Sequence, residues 1–207
     1  MLFLLGAPLK SWAQRPTESL KTFTEPNGAF TFRYSSHLIL CEQKRQGVTE
    51  SHYWVPAESC AAYLPVCDDE TGQEHTAIAC VAYPRDKFTN TGAFEAATFS
   101  VEVLNRVATE AGCLAGPADE IFRRENTTAI HGVSFAVFKF GDAGMNQSVG
   151  GQVYRTFHGG KCYQLGINVA TANAQTFDPP ERELTREDWN EVNYRLEQAR
   201  DSFRFLK

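Results

Sequence analysis

The chain has 207 residues, a net charge of −5 at neutral pH and 43% apolar residues, with 15 phenylalanines among them. This length fits one domain, and the apolar content suffices for a real hydrophobic core. Because the charge is negative and Lys and Arg form no dense tract, the composition argues against binding to nucleic acid or to an anionic membrane.

The N-terminus has the pattern of a secretory signal. Residues 1–8 (MLFLLGAP) form a short apolar run, and Ser11 and Ala13 occupy the small-residue positions that precede a cleavage site. The run is far too short to cross a membrane as a helix. We therefore expect residues 1–13 to be a signal peptide, residues 14–207 to form the mature domain, and the protein to be secreted or periplasmic. A partly buried N-terminal segment of a cytosolic protein is the alternative.

Six cysteines are spread along the chain without a C-x-x-C pair. Zinc sites usually contain closely spaced ligand pairs and redox sites contain C-x-x-C, so the spacing favours neither. In an exported protein, an even set of this kind predicts two or three structural disulfides. The candidates are Cys41, Cys60, Cys67, Cys80, Cys113 and Cys162. Their pairing stays open, but four of the six lie between residues 41 and 80, so the N-terminal part is expected to need the most cross-links.

The first predicted elements are strands. After a turn at residues 26–28, the stretch 29–34 (AFTFRY) places three aromatic side chains on one face, as a half-buried strand does. Residues 76–83 (TAIACVAY) form a second candidate strand. Residues 95–104 (EAATFSVEVL) alternate and are rich in β-branched residues, which favours a strand over a helix. The stretch 53–67 has no clean period and is expected to be irregular and tied by disulfides.

The middle of the chain predicts a short helix followed by more sheet. We expect the helix, with loops, within residues 105–125 and a strand at residues 133–140 (VSFAVFKF). In this strand Phe138 and Phe140 switch parity, so either both faces of the strand are covered or a bulge shifts the register. Residues 141–151 are polar and rich in glycine, and we expect a flexible loop there.

Residues 152–170 predict the central hairpin of an antiparallel sheet. Gly159 and Gly160 supply the positive φ angles that a tight two-residue turn requires. In the second strand of the hairpin, alternate residues are apolar, which is typical of a strand with one buried face. These residues are Tyr163, Leu165, Ile167 and Val169.

The stretch 185–203 predicts the clearest helix of the chain. Thr185 at the cap and an acid three residues later, Asp188, form a start that resembles a capping box. An apolar stripe follows at intervals of three and four residues: Trp189, Val192, Leu196, Ala199 and Phe203. Such a helix needs a flat apolar partner, and the hairpin offers one. The predicted fold class is therefore α+β, an antiparallel sheet with a C-terminal amphipathic helix packed on one face and a disulfide-stapled N-terminal part.

These features resemble the PsbP-like superfamily of photosystem accessory and Ran-binding-protein-like α/β/α sandwiches. The resemblance is carried by the hairpin GQVYRTFHGGKCYQLGINV, the helix that runs into SFRF at residues 202–205, and the entry strand PNGAFTFRY. It covers mainly residues 26–40 and 130–205. It implies an antiparallel sheet sandwiched by helices, with the C-terminal helix on the sheet and a short tail after it. Members serve mostly as non-enzymatic accessory or binding proteins, so the resemblance implies that class without a partner.

Little in the sequence indicates catalysis. His158 and Cys162 could form a nucleophilic or metal-binding pair, but their positions on either side of a hairpin turn explain both residues. The five histidines lack the close spacing typical of metal ligands, and no nucleophile-elbow, phosphate-loop or dinucleotide motif occurs. We therefore expect no catalytic residue, no metal and no cofactor.

Aromatic residues in and near the cysteine-rich region suggest a recognition site, since loops on a rigid scaffold often carry recognition. Tyr53, Trp54, Tyr63 and Tyr83 are predicted to line a groove for a peptide, glycan or small ligand. A hydrophobic cluster beneath the loops is the alternative.

Three functional hypotheses follow from the sequence. The leading one is a non-enzymatic binding or accessory domain whose partner is an unknown protein, peptide or small ligand of the cell envelope. The second is a hydrolase or other enzyme with a site assembled from His131, His158 and nearby acids. The third is a purely structural envelope protein.

Overall fold

The computed structural model describes residues 18–41, 43–45, 52–54, 75–83, 88 and 91–206, with the backbone alone for residues 43–45, 52–54 and 75. The signal peptide expected at residues 1–13 lies outside these ranges, as do Cys60, Cys67 and Tyr63. Among the described residues, no helix is both long and apolar enough to cross a membrane.

The described elements are mostly antiparallel strands. In chain order they are β1 (Leu20–Thr24), β2 (Phe30–Ser35), β3 (Ile39–Cys41), β4 (Gln43–Arg45), β5 (His52–Trp54), β6 (His75–Ala82), β7 (Phe94–Leu104), α1 (Glu110–Ala115), β8 (Phe122–Ile130), β9 (Val133–Gly144), β10 (Gln147–His158), β11 (Lys161–Ala172), α2 (Arg186–Asp201) and β12 (Arg204–Phe205). Within the described residues, the main sheet has the strand order β3-β6-β7-β11-β10-β9-β8, a smaller sheet has the order β1-β2-β12, and β4 pairs with β5.

The predicted hairpin is the centre of the main sheet. Strand β11 lies in the middle of the strand order, between β7 and β10. The turn between β10 and β11 is made by Gly159 and Gly160, whose φ angles of 56° and 78° favour glycine. Tyr163, Leu165 and Ile167 are all buried on one face of β11, as their alternation predicts. The prediction of a central hairpin is therefore confirmed.

Helix α2 packs its stripe on that face. Thr185 and Asp188 form a true capping box at its N-terminus. Val192, Leu196 and Ala199 are 0% exposed and belong to the same buried cluster as the apolar residues of β11. Each large buried side chain of this kind contributes roughly 1.5–3 kcal/mol. The α+β class, with the C-terminal helix on the sheet, is thus confirmed.

The smaller sheet covers the same face of the main sheet beside α2. Phe30 packs on Phe203 with ring centroids 5.2 Å apart, and Phe32 packs on Phe99 at 5.1 Å. Just after α2, the chain returns as β12 and pairs with β2, with Phe205 opposite Phe30. The C-terminal tail therefore fixes the smaller sheet against the end of the helix.

Both faces of β9 are covered, which resolves the parity switch seen in its sequence. Phe135 and Val137 lie in the main core, whereas Phe138 lies in a second cluster on the opposite face together with Leu114 of α1. The pairing of β9 with β10 contains no bulge, and the register shift in the pairing of β9 with β8 lies in β8, between Arg124 and Thr127. The two helices therefore lie on opposite faces of the sheet.

The glycine-rich stretch 141–151 is not a flexible loop, so that prediction is wrong. Strands β9 and β10 continue through it and meet at a turn formed by Met145 and Asn146, whose φ angles are 46° and 68°. Gly150 pairs with Gly141 on one side and with Val169 of β11 on the other. Backbone pairing with two neighbours outweighs the poor strand propensity of glycine here.

A buried polar chain crosses the face of the main sheet opposite α2. The Nε of Arg155 donates to Gln164 at 2.7 Å, and the amide of Gln164 donates to Glu102 at 3.0 Å. The hydroxyl of Ser100 donates to the same carboxylate at 2.9 Å. Burial lowers the pKa of Arg155 to about 10, and Glu102 acts against that shift. Hydrogen bonding offsets the cost of burying these groups.

Disulfide-bonded cysteines lie in three strands of the main sheet, β3, β6 and β11. Cys113 of α1 is bonded to Cys162 at the start of β11, with Cα atoms 5.5 Å apart and both residues fully buried. Cys41 and Cys80 are also disulfide-bonded. Disulfide bonding is thus confirmed for the four cysteines within the described residues, and it stays a prediction for Cys60 and Cys67.

The packing of α2 predicts a large effect for truncation of its central residue. Leu196→Ala should lower the free energy of unfolding by about 2–5 kcal/mol, because it opens a cavity in a fully buried position. Asn193→Ala, at an exposed position one turn earlier on the same helix, should change it by less than about 0.5 kcal/mol. Urea unfolding measures both values, and equal effects would contradict the packing described here.

The disulfide of α1 predicts a second loss of stability. The bond closes a loop with a sequence separation of 49, for which the loss of chain entropy amounts to about 4 kcal/mol. The double variant Cys113→Ala and Cys162→Ala should therefore unfold with a free energy about 2–4 kcal/mol lower than the oxidised protein. Urea midpoints of the two proteins test this, and an unchanged midpoint would show that the bond adds no stability.

Candidate functional site

A cleft of about 770 Å³ opens between α2 and one end of the main sheet. We call it the helix–sheet cleft. It is lined by Lys139, Gly141, Asp142 and Ala143 of β9, by Ser148, Val149, Gly150, Gly151 and Gln152 of β10, by Ile167, Val169 and Thr171 of β11, and by Trp189, Asn193 and Glu197 of α2.

The helix presents three of its residues to the cleft in one row. Trp189, Asn193 and Glu197 follow one another at intervals of four residues, which places them one above the other on an α-helix. Eight residues of helix span about 12 Å. Trp189 is half-buried against the core, whereas Asn193 and Glu197 are exposed. The wall therefore has an aromatic end and a carboxylate end.

A contact beside the cleft fixes the helix relative to the strands. The Nη1 of Arg200 donates to the hydroxyl of Tyr154 at 2.6 Å, and its guanidinium lies over the same ring at 5.0 Å. Glu197 lies three residues, or nearly one turn, before Arg200, and Gln152 lies two residues before Tyr154, so the steps back along the helix and the strand are about 5 and 7 Å. Glu197 and Gln152 therefore lie at the same end of the cleft, next to the contact between Arg200 and Tyr154.

Followed from that end in steps of four helix residues and two strand residues, each about 6 Å, the two walls divide the cleft into three levels. This count sets Asn193 opposite Gly150 and Trp189 opposite Ser148, all of which line the cleft. The register of β9 and β10 adds one residue to each level. The first level thus holds Glu197, Gln152 and Lys139, the second Asn193, Gly150 and Gly141, and the third Trp189, Ser148 and Ala143.

The second level is open because both strands carry glycine there. A Cβ atom built on Gly141 would lie 3.9 Å from the carbonyl oxygen of Val149, and one on Gly150 would lie 3.4 Å from that of Phe140. These are ordinary contacts, so the backbone at both positions accepts a side chain. The space that two side chains would fill is instead part of the cleft.

The first level carries groups of opposite charge. Lys139 and Glu197 are both exposed and come from opposite walls. In the part of the chain that the structure describes, neither side chain takes part in an ion pair or hydrogen bond. The hydroxyl of Tyr154 donates to Oε1 of Gln152, which leaves the amide N–H groups of Gln152 as donors. Burial raises the pKa of the Tyr154 hydroxyl and keeps it protonated, although the nearby Arg200 opposes the shift.

The floor of the helix–sheet cleft is apolar. Ile167 and Val169 of β11 are 6% and 7% exposed and belong to the main core. Toward the third level, the hydroxyls of Ser148 and Thr171 hydrogen-bond to each other at 2.8 Å. An apolar floor with a few polar groups at its rim is typical of sites for small molecules.

The predicted aromatic groove is described only in part. Tyr83 is 3% exposed and lies beneath α2, where its hydroxyl donates to the carbonyl oxygen of Glu191 at 3.0 Å. Tyr53 and Trp54 belong to β5, but their side chains lie outside the described atoms, and Tyr63 lies outside the described residues. The groove formed by these residues stays a prediction.

His131 and His158, the two histidines considered as catalytic candidates, lie in a turn and at the end of a strand, respectively. His131 has a φ angle of 47° in the turn between β8 and β9, and the ring of His158 stacks on Phe205 with centroids 3.8 Å apart. Cys162, the possible partner of His158, is held in a disulfide. Across the described ranges, no three His, Cys, Asp or Glu side chains are grouped as metal ligands would be.

A second cleft of about 1000 Å³ lies on the other side of α2, next to Ser36 and His37. Arg195, a cation that lines this cleft, is already bound to other parts of the protein. The Nε of Arg195 pairs with Glu18 at 2.7 Å, and its Nη1 donates to Glu191 and, at 3.3 Å, to the hydroxyl of Tyr83. The helix–sheet cleft, where opposite charges stand unpaired, is therefore the stronger candidate site.

Sequence reasoning missed the helix–sheet cleft, although one signal was present. Glycines at residues 141, 144, 150 and 151 are too frequent for two ordinary strands, and glycine in a strand often marks a close approach to another group. Trp189 was recognised only as a member of the apolar stripe. Lys139 and Glu197 carry no local pattern that distinguishes them from surface charges.

The sequence matches no protein-family model and no curated protein. Among solved structures, it is similar to LpqN, which is involved in cell envelope biogenesis of Mycobacterium tuberculosis, with a TM-score of 0.46, 7% identity and 92% of each chain covered. It is also similar to the cyanobacterial PsbP (CyanoP) of Synechocystis sp. PCC 6803, with a TM-score of 0.42 and 12% identity over 96% of this chain and 99% of that one.

The Ran-binding protein Mog1p of Saccharomyces cerevisiae is a third similar structure, with a TM-score of 0.42 and 12% identity over 91% of this chain and 96% of that one. A PsbP is thus among the solved structures that are similar to this chain.

The burial of Tyr83 predicts a loss of stability in alkali. Burial raises the pKa of Tyr83 to about 12, from 10.0 for an exposed tyrosine. Below pH 10 the hydroxyl is protonated in both the folded and the unfolded state. As the pH rises from 10 to 12, the unfolded state loses this proton first, so the free energy of unfolding should fall by up to about 1.4 kcal/mol per pH unit.

Urea unfolding at several pH values measures this slope. Tyr83→Phe should make the decline between pH 10 and pH 12 shallower, because the titrating group is removed. Tyr194→Phe, at an exposed tyrosine on α2, is the matched control. If both variants kept the slope of the parent protein, the buried phenol would not be its source.

Proposed function

We propose that the protein is a secreted or periplasmic, non-enzymatic binding or accessory domain that binds a small ligand in the helix–sheet cleft. In this proposal residues 14–207 form the one domain of the mature protein. The observation that carries the proposal is the open second level, where Gly141 and Gly150 leave a gap between the helix and the sheet. Protein interiors are close-packed, so a gap of this size between packed elements is a feature that needs a reason.

The dimensions and lining of the cleft support this role. Its volume of about 770 Å³ lies within the range of about 300–1,000 Å³ that is usual for small-molecule sites. Trp189 and the floor residues supply apolar contact, while Lys139, Gln152 and Glu197 supply a few polar groups at one end. This combination gives affinity through burial and orientation through hydrogen bonds.

The chemistry of the cleft favours binding over catalysis. A serine nucleophile needs an adjacent base that takes its proton. The hydroxyl of Ser148 is instead bonded to the hydroxyl of Thr171. Lys139 and Glu197 stand on opposite walls, where they suit the recognition of charge.

The cysteines support the proposed compartment. Cys41, Cys80, Cys113 and Cys162 are all disulfide-bonded, two of them to each other. Structural disulfides persist in oxidising compartments such as the periplasm and the extracellular space. Together with the signal-like N-terminus, they favour an exported protein.

The open level predicts that ligand binding is lost when side chains are added there. Gly141→Val and Gly150→Val should fill the cleft and leave the fold intact, because both positions accept a Cβ atom and valine favours strands. Gly144→Val is the matched control, since it lies on the same strand but outside the cleft, and nothing lies within 4 Å of its Cβ position.

Binding would be followed by the backbone amide signals of the ¹⁵N-labelled protein with three classes of probe: maltose and cellobiose, tri-alanine, and L-phenylalanine. At least one class should shift the signals of residues 139–152 in the parent protein and in Gly144→Val. The same probe should bind the two cleft variants at least ten-fold more weakly. Shifts confined to other surfaces, or binding that survives in both cleft variants, would contradict the proposed site.

A further inference from the structure

We propose that the ligand of the helix–sheet cleft is a free α-amino acid with a large apolar side chain. This inference rests on the binding role proposed above and names the class of ligand. It follows from the order of the three levels along the cleft. The first level carries an ammonium and a carboxylate, the second carries Asn193 on the helix but only glycine on the sheet, and the third carries an indole ring.

The first level matches a zwitterion. Lys139 offers an ammonium group from β9, and Glu197 offers a carboxylate from α2, with Gln152 at the same level. An α-amino acid carries its own carboxylate and ammonium on one carbon atom. Its carboxylate pairs with Lys139 and accepts from the amide N–H of Gln152, while its ammonium pairs with Glu197. A ligand with a single charge would satisfy one wall and leave the other without a partner.

The surrounding contacts keep these three groups available. The Oε1 of Gln152 is occupied by the hydroxyl of Tyr154, so the amide turns its N–H groups to other acceptors. Arg200, the cation three residues after Glu197 on the helix, is bound to Tyr154 and to Asp201, the latter at 2.7 Å. Asp142 also lines the cleft, and one of its carboxylate oxygens accepts from the backbone amide of Ala143 at 2.8 Å.

The second and third levels match an apolar side chain. A side chain that starts at the first level passes between Asn193 of α2 and the backbone of Gly141 and Gly150, where the sheet contributes no side chain. It rests on Ile167 and Val169, which are buried core residues, and reaches toward Trp189. Each buried methylene group is worth roughly a factor of four in affinity, so a large side chain is favoured strongly over a methyl group.

The floor disfavours an extended peptide. Peptides that bind to sheets usually add a strand at an open edge. Strand β10 pairs with β9 and β11, and β11 pairs with β10 and β7, so the backbone groups of these two strands are already used. A neutral saccharide, in turn, offers no charge to Lys139 or Glu197. The probes maltose, cellobiose and tri-alanine test for these two classes of ligand.

The first experiment varies the ligand. Calorimetric titration of the protein with L-phenylalanine should give saturable binding. N-acetyl-L-phenylalanine lacks the ammonium and L-phenylalaninamide lacks the carboxylate, and each should bind at least five-fold more weakly. L-Alanine, which keeps both charges but lacks the side chain, should bind at least ten-fold more weakly.

The second experiment tests whether Glu197 recognises the ammonium group of the ligand and Lys139 its carboxylate. Glu197→Gln should weaken binding of phenylalanine and abolish its advantage over the N-acetyl derivative. Lys139→Gln should abolish its advantage over the amide. Glu187→Gln on α2 and Lys161→Gln at the tip of the central hairpin remove the same charges outside the helix–sheet cleft, and they should leave all affinities unchanged.

The outcomes separate this inference from the proposed function. If maltose, cellobiose or tri-alanine shifts the signals of residues 139–152 while phenylalanine does not, the amino acid is overturned and the binding role stands. If phenylalanine and its two derivatives bind equally well, recognition of a zwitterion is overturned. If none of these probes binds in the helix–sheet cleft, both proposals fall.

Discussion

The packing of one stripe of α2 on the face of the main sheet formed by β7 and β11 is the contact on which the rest of the structure depends. Val192, Leu196 and Ala199 are fully buried there, and Phe203 continues the stripe beyond the end of the helix. Since the helix cannot shift along the sheet without uncovering these residues, its position also fixes where the chain returns as β12. The smaller sheet is then held between that return strand and the aromatic residues of the core.

The helix–sheet cleft is a consequence of the same packing. An α-helix is about 10 Å wide, whereas the main sheet extends over β10, β9 and β8 beyond the line of contact. Large side chains on the nearer strands fill the space under the helix. Where β9 and β10 carry glycine, the sheet contributes no side chain, and the contact between Arg200 and Tyr154 fixes the helix relative to β10. Lys139 and Glu197 lie on opposite walls of the resulting cleft.

Predictions from sequence were right where one element contains the whole signal. The stripe of α2, its capping box and the alternation of β11 are periodic within a single helix or strand, and each has the predicted form. They were wrong where partners decide the outcome. Residues 141–151 have the composition of a loop, yet two neighbouring strands supply the hydrogen bonds that hold them in a sheet. The parity switch at Phe138 allowed two answers, and only the position of α1 selected one.

The sequence by itself therefore determined the α+β class, the central hairpin and the helix that packs on it, because hydrophobic periodicity is a local property of the chain. The tertiary structure alone decided that Cys113 bonds to Cys162, that Tyr83 lies beneath α2, and where a cleft opens. The walls of the cleft combine residues of β9 and α2 that are more than forty positions apart in the sequence. Their meeting depends on strand register and on the place of the helix, which no local pattern encodes.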